Sequence, residues 1–271
     1  MHSKIRNSLS AAAMASVALA VLHCGRSVSV GDEQAAAVGH VSLERPRWRI
    51  GDRWVVETRS KIVQSVRNAD AQPRTVRWQF EIAGVEQAAA AECFKICVSC
   101  LVEAQLRPSI TLWYDKQTLF LRKFEAQIVA GGQMRTLCES YVAASEFAPV
   151  ITPLEVVPVS LPAFVPPGAK HFGSFSYVSQ PASGGSKDLS LVRFAHTIRQ
   201  DVGRPSRDLV RHAGESGNKV FATSRSVEIH LSEGSRQIAQ LWASKAPWPV
   251  YTSQGQTEAW LVSIQHADID R

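Results

Sequence analysis

Between Thr75 and Ile82 the chain alternates without a break. Val76, Trp78, Phe80 and Ile82 are apolar, and Thr75, Arg77, Gln79 and Glu81 fill the gaps. A period of two puts the two sets on opposite faces of a strand, so this stretch predicts a sheet with one buried and one wet face. The same rhythm runs through most of the chain. Trp54 to Val63 precedes it, and Phe94, Ile96, Val98 and Val102 follow on one face. Ile110, Leu112 and Tyr114 turn at Asp115-Lys116-Gln117 into Leu119, Phe120 and Leu121, and Gly131-Gly132 closes a further hairpin. Val192, Phe194, His196 and Ile198 share a face; Val227, Ile229 and Leu231 pass through Ser232-Glu233-Gly234-Ser235 into Ile238, Leu241 and Trp242. A last strand runs through Trp260 and Val262. The strands recur at about ten-residue intervals, the rhythm of an antiparallel meander.

Two stretches depart from it. Six prolines fall in residues 147–167 (Pro149, Pro153, Pro158, Pro162, Pro166 and Pro167), and proline lacks the N–H that a sheet ladder needs. Val150, Leu154, Val157, Leu161 and Phe164 lie among them, so the sequence predicts an extended segment that crosses and packs against the sheet, with a domain linker as the alternative. Residues 201–219 are polar and glycine-bearing and read as a mobile loop; Ser140 to Phe147 carries a short-helix signal. The fold class that follows is mainly β: a curved antiparallel sheet or open half-barrel of about ten to eleven strands, with few short helices.

The amino terminus predicts export. Lys4 and Arg6 precede an uncharged run from Leu9 to Leu22, too short to span a bilayer comfortably but suited to a secretory leader. Two processing outcomes stand open. Ala18-Leu19-Ala20 is a signal-peptidase site. Val21-Leu22-His23-Cys24 is a degenerate lipobox, which makes Cys24 the candidate for lipidation and membrane anchoring. The domain reading is a signal peptide over 1–23, a flexible tether over 24–45 and a single β domain over 46–271. The expected location is periplasmic or membrane-anchored.

Composition narrows the functional classes. The net charge is +6 and the arginines are scattered, whereas a nucleic-acid binder concentrates its cations with stacking aromatics. No nucleic acid and no cofactor is expected. The eight histidines show no ligand spacing, and no G-x-S-x-G elbow is present, so no catalytic residue and no metal site is assigned. Cys93, Cys97 and Cys100 form C-x3-C-x2-C with Cys138 beyond. In an oxidising compartment Cys138 is the best partner for Cys97 or Cys100, because Cys93 and Cys97 are ~13 Å apart along one strand. The alternative is that all four pack as small hydrophobes. Seven tryptophans are many for this length. They serve the core or line an apolar concave face; the ligand-binding candidates are Trp54, Trp78, Phe80, Trp113, Trp242 and Trp260.

The W-x-x-G-D-x-W run from Trp48 to Trp54, the turn at Trp113-Tyr114-Asp115 and the hairpins up to Tyr141 resemble the bacterial lipoprotein-carrier half-barrel proteins (LolA/LolB-like). That resemblance covers about a third of the chain. It implies an envelope protein that binds a lipid or acyl chain in a half-barrel lidded by helices. The expected function is a non-catalytic cell-envelope protein taking a hydrophobic ligand or an envelope partner. The alternatives are a structural or interaction module and a secreted hydrolase. Intact mass without reductant, taken on membrane and soluble fractions, checks the leader. A chain beginning at an acylated Cys24 is an anchored lipoprotein; one beginning at an unmodified Val21 is not.

Overall fold

A computed structural model describes residues 43–60, 74–101, 108–130, 133–143, 157–164, 174–181, 194–215 and 225–267. The leader, Cys24 and most of the expected tether lie outside these. Among the described residues twelve strands are present: β1 (Arg53–Ser60), β2 (Arg74–Ala88), β3 (Ala91–Cys100), β4 (Ser109–Asp115), β5 (Leu121–Ala130), β6 (Gln133–Ala143), β7 (Ser174–Pro181), β8 (Phe194–Gly203), β9 (Ser226–Glu233), β10 (Arg236–Ala243), β11 (Tyr251–Gln254) and β12 (Thr257–Gln265). A short helix, α1 (Arg207–Gly214), lies between β8 and β9. Each strand pairs antiparallel with its sequence neighbours, as the ten-residue rhythm requires. The curved sheet then closes on itself. β1 pairs with β2 on one side and with β12 on the other, from Arg53↔Gln265 to Ser60↔Thr257.

The period of two decides what fills the barrel. Trp54, Val56, Trp78, Phe80, Ile82, Ile96, Val98, Leu112, Tyr114, Phe124, Ile198, Ile229, Ile238 and Trp242 alternate along their strands and converge into one buried cluster. Their neighbours face outward and carry ion pairs: Arg53–Glu81, Arg77–Glu57, Lys95–Glu86 and Lys123–Glu125. A barrel that faces lipid presents an outward apolar band; these strands present charge outward and apolar groups inward.

One end of the barrel is capped by the turns that the sequence singles out. In the Trp48 to Trp54 run, Gly51 has φ +90°, and a Cβ there would meet the Ala267 Cβ at 3.1 Å. Asp52 is buried beside it, accepting bonds from the Arg49 N–H at 2.9 Å and the Ala267 N–H at 3.0 Å. One carboxylate thus ties both ends of the domain to β1. The last tether residues dock as well. Leu43 packs on the core, Glu44 accepts from the Ser244 hydroxyl at 2.7 Å, and Arg45 donates to the carbonyls of Lys116 and Gln117.

Two sequence expectations are corrected. Residues 201–203 belong to β8 and 207–214 form α1, so the described part of 201–219 is ordered structure. Ser206 caps the helix by accepting from the Leu209 N–H, and the segment reads as polar because Leu209 is its one buried residue. The helix signal at Ser140 to Phe147 also yields where it is described. Ser140 to Ala143 lie in β6, because pairing with β5 and β7 outweighs local propensity.

The β4–β5 turn generates a prediction. Asp115 is buried and accepts from the Gln117 and Thr118 N–H groups at 2.8 and 3.0 Å and from the Arg122 guanidinium at 2.8 Å. Burial raises its pKa, but Arg122 and the two N–H groups outweigh that and hold it below the usual carboxylate range. A depressed folded-state pKa stabilises the fold above the unfolded value of about 3.9, and that contribution is lost as pH falls through the folded value. Asp115→Asn is expected to cost about 2 kcal/mol at pH 7, since charge-assisted bonds are lost and Arg122 is left without its partner. In urea denaturation the gap to wild type should narrow below about pH 4; a gap independent of pH would contradict this account.

Candidate functional site

The apolar inner faces leave a space that the strands do not fill by themselves. An eight-stranded barrel is just wide enough for its own side chains to fill, and diameter grows with strand number. This twelve-stranded barrel fills its lumen with two additions. The first is an aromatic floor at the end carrying the Trp48 to Trp54 run. Trp48 and Trp54 stack at 6.1 Å, and Trp248, from the Pro247-Trp248-Pro249 turn, lies 5.5 Å from Trp54 and 4.9 Å from Phe80. Tyr114 meets Trp48 edge-on at 5.4 Å, and the Trp48 indole donates to the Pro247 carbonyl at 2.9 Å.

The second is the proline-rich segment. Residues 157–164, here termed the strap, are all buried, and Val157, Val159, Leu161, Ala163 and Phe164 join the core cluster. Phe164 packs edge-on against Trp242 at 5.4 Å. A buried main chain must have its polar groups satisfied, and Pro158 and Pro162 remove two of its donors. Side chains from three strands meet four of the rest. The Gln200 amide of β8 makes a two-way clasp with Ala163, accepting from its N–H at 2.7 Å and donating to its carbonyl at 3.0 Å. The Gln240 amide of β10 donates to the Ser160 carbonyl at 2.7 Å and is oriented by the Trp242 indole, which donates to it at 3.0 Å. The Tyr114 hydroxyl of β4 donates to the Val159 carbonyl. Burial pushes its pKa well above the ordinary tyrosine value, so it remains a donor at physiological pH.

Around these amides the wall is uncharged and polar. Thr58, Thr252, Gln254 and Thr257 are buried on the inner faces of β1, β11 and β12, and the Trp78 indole donates to the Thr58 hydroxyl at 3.0 Å. The Trp54 indole nitrogen and the Thr257 hydroxyl are buried with no hydrogen-bond partner among the described residues. Across the lumen Glu139 faces inward opposite Phe124 and accepts from the Tyr141 hydroxyl at 2.8 Å. Leu137, opposite Ala126 on the same inner face, is 43% exposed. The wall can therefore hold an extended, neutral chain by its carbonyls and pack apolar groups around it.

The candidates read from sequence divide between the two faces. Trp54, Trp78, Phe80 and Trp242 line the lumen. Trp113 and Trp260 lie outside it. Trp113 packs with Ala88 and Cys93 under Lys123, whose ammonium is 4.4 Å from the ring centre. Trp260 lies beneath α1, donating to the His212 carbonyl at 2.8 Å, beside Tyr251 at 5.5 Å.

The disulfide reading is corrected: Cys93, Cys97, Cys100 and Cys138 form no disulfide with one another. Cys97 and Cys100 lie on β3 and Cys138 on β6, and β4 and β5 intervene. Three strand spacings put them about 14 Å apart, twice the reach of a disulfide. Cys93 is fully buried, and burial pushes its thiol up to about 11.

Gln200, Gln240, Tyr114 and Trp248 are site residues that the sequence reading did not single out. A signal existed for Gln240, which stands between Ile238 and Trp242 on the apolar face of a period-two strand. Gln200 likewise falls two residues beyond Ile198. An uncharged amide at a position reserved for the core marks a buried hydrogen bond.

No protein-family model matches the chain, and no curated protein sequence matches it. Among solved structures it is similar to a β-barrel-like protein of a domain of unknown function, DUF1849, from Brucella abortus. The identity is 10%, the match covers 81% of this chain and 98% of that one, and the TM-score is 0.37. A likeness at that level bears on neither activity nor ligand.

Gln240→Leu is expected to destabilise the protein by about 2 kcal/mol, since it removes the amide that donates to the Ser160 carbonyl and accepts from the buried Trp242 indole. Gln240→Leu combined with Trp242→Phe should recover part of that loss, because the orphaned indole donor goes with it. Chemical denaturation of both variants checks this, and strictly additive losses would contradict the geometry.

Proposed function

We propose that this chain is a non-catalytic cell-envelope protein whose barrel holds an elongated, uncharged and largely apolar ligand in its lumen. One observation carries the reading. The inner wall grips the main chain of an extended segment through the Gln200 and Gln240 amides and the Tyr114 hydroxyl, in a lumen lined mainly by apolar groups. Ligand sites are commonly apolar cavities with a few well-placed polar groups, and this wall has that composition. The envelope setting comes from the leader: Lys4 and Arg6 ahead of an apolar run, with Cys24 as the lipidation candidate. The resemblance to lipoprotein carriers supports an acyl chain as one ligand of this description; an extended segment of an envelope protein is the other. Docking through a free sheet edge is the weaker reading, since β1 and β12 pair along eight residues and the barrel offers no edge there.

The test uses tryptophan emission of the intact, exported protein. It is titrated separately with dibrominated palmitate and with an uncharged peptide of alternating aliphatic and proline residues. One of them should shift or quench the emission at micromolar concentration, and Trp242→Phe should reduce the response at least several-fold. A spectrum that neither probe changes would overturn the reading.

A further inference from the structure

The strap is built into the lumen in an unusual way. Among the described residues it pairs with no strand of the barrel, and the main-chain bonds that hold Val159, Ser160 and Ala163 run to side chains. Gln200 treats Ala163 as a neighbouring strand would, giving and accepting one bond each. Gln240 and Tyr114 read the carbonyls of Ser160 and Val159. None of these contacts depends on the identity of the strap side chain, because all go to the backbone. Two of the eight residues are prolines, which holds the segment extended and removes donors that the wall has no need to meet. A barrel that only needed filling would do better with apolar side chains, because each buried amide must find a partner. Two more donors, the Trp54 indole and the Thr257 hydroxyl, are buried without a partner among the described residues.

Resting on the reading above, we infer that the strap is an intramolecular stand-in for the ligand, and that the ligand is an extended, proline-containing apolar polypeptide segment rather than an acyl chain. Donors aimed at three carbonyls along one extended chain suit a peptide; an acyl chain has no carbonyl beyond its head and would leave the Gln200, Gln240 and Tyr114 donors unsatisfied. The strap and the partner segment then compete for the same wall. The observed affinity is the intrinsic one reduced by the fraction of molecules in which the strap has left. The peptide would enter by the mode in which preordered proline-rich segments dock aromatic-lined grooves.

The experiment uses a labelled peptide, Val-Pro-Val-Ser-Leu-Pro-Ala-Phe, which is the sequence of residues 157–164. Its binding in trans is followed by fluorescence anisotropy. The full chain is compared with a strap-weakened variant, Leu161→Ser with Phe164→Ser. The peptide should bind the weakened variant at least ten-fold more tightly than wild type, and adding Gln200→Leu and Gln240→Leu should remove at least ten-fold of that affinity. Equal binding to wild type and weakened chain, or indifference to the two glutamines, would overturn the inference. Binding of dibrominated palmitate with no binding of peptide would also overturn it, while leaving the proposed function standing; binding of neither would remove both. Should the weakened variant show no cooperative unfolding, the wild-type chain is tested by hydrogen exchange with millimolar peptide. Faster exchange at the Leu161 and Ala163 amides would support displacement of the strap, and unchanged exchange would overturn it.

Discussion

Closure of the sheet governs the rest of this molecule. β1 must pair on both sides, with β2 and with β12, and that second pairing joins residues about two hundred positions apart. Once the ring is closed there is no edge at β1 to cover, but there is a lumen to fill, and a ring of twelve strands encloses more than its inward side chains occupy. The large number of tryptophans follows from that surplus. Trp48, Trp54, Trp248 and Phe80 stack across one end, and Trp78 and Trp242 occupy the wall above. Each large aromatic removes some 150–250 Å² from water, so a handful of them close a gap that aliphatic side chains would leave open.

The strap answers the same constraint at a different cost. An extended segment inside a barrel carries its main-chain polar groups into an apolar region, where each unpaired group costs about 1–3 kcal/mol. Gln200, Gln240 and Tyr114 offset that cost, and the price is that amides now sit where the core would otherwise be hydrocarbon. The arrangement is therefore specific: it accepts an extended chain with carbonyls in the right places and disfavours anything that leaves those donors bare. The same physics links architecture to binding, because what holds the strap is what would hold a substitute for it.

Much of this was legible beforehand, at the level where local pattern suffices. The alternation from Thr75 to Ile82 identified the inward face of β2 residue by residue, and Asp115-Lys116-Gln117 and Gly234-Ser235 mark turns that the structure contains. Of the six ligand-binding candidates, Trp54, Trp78, Phe80 and Trp242 do line the lumen, whereas Trp113 and Trp260 face outward. They look alike in sequence because an aromatic on the outer face, shielded by Lys123 or by α1, alternates just as one on the inner face does. Helix α1 was hidden for a related reason: with Leu209 as its one buried residue, it has almost no apolar period to detect.

By itself the sequence determined strand content, the two faces of most strands and the places where the chain turns, because these depend on neighbours within a few residues. It also argued against a central strand through residues 157–164, since Pro158 and Pro162 have no N–H to give. Only the tertiary structure decided that the sheet closes, that the strap runs inside rather than across it, and that Cys97 and Cys100 stand three strands from Cys138. Those outcomes rest on pairings between distant segments, and no local period records which strand will lie beside which.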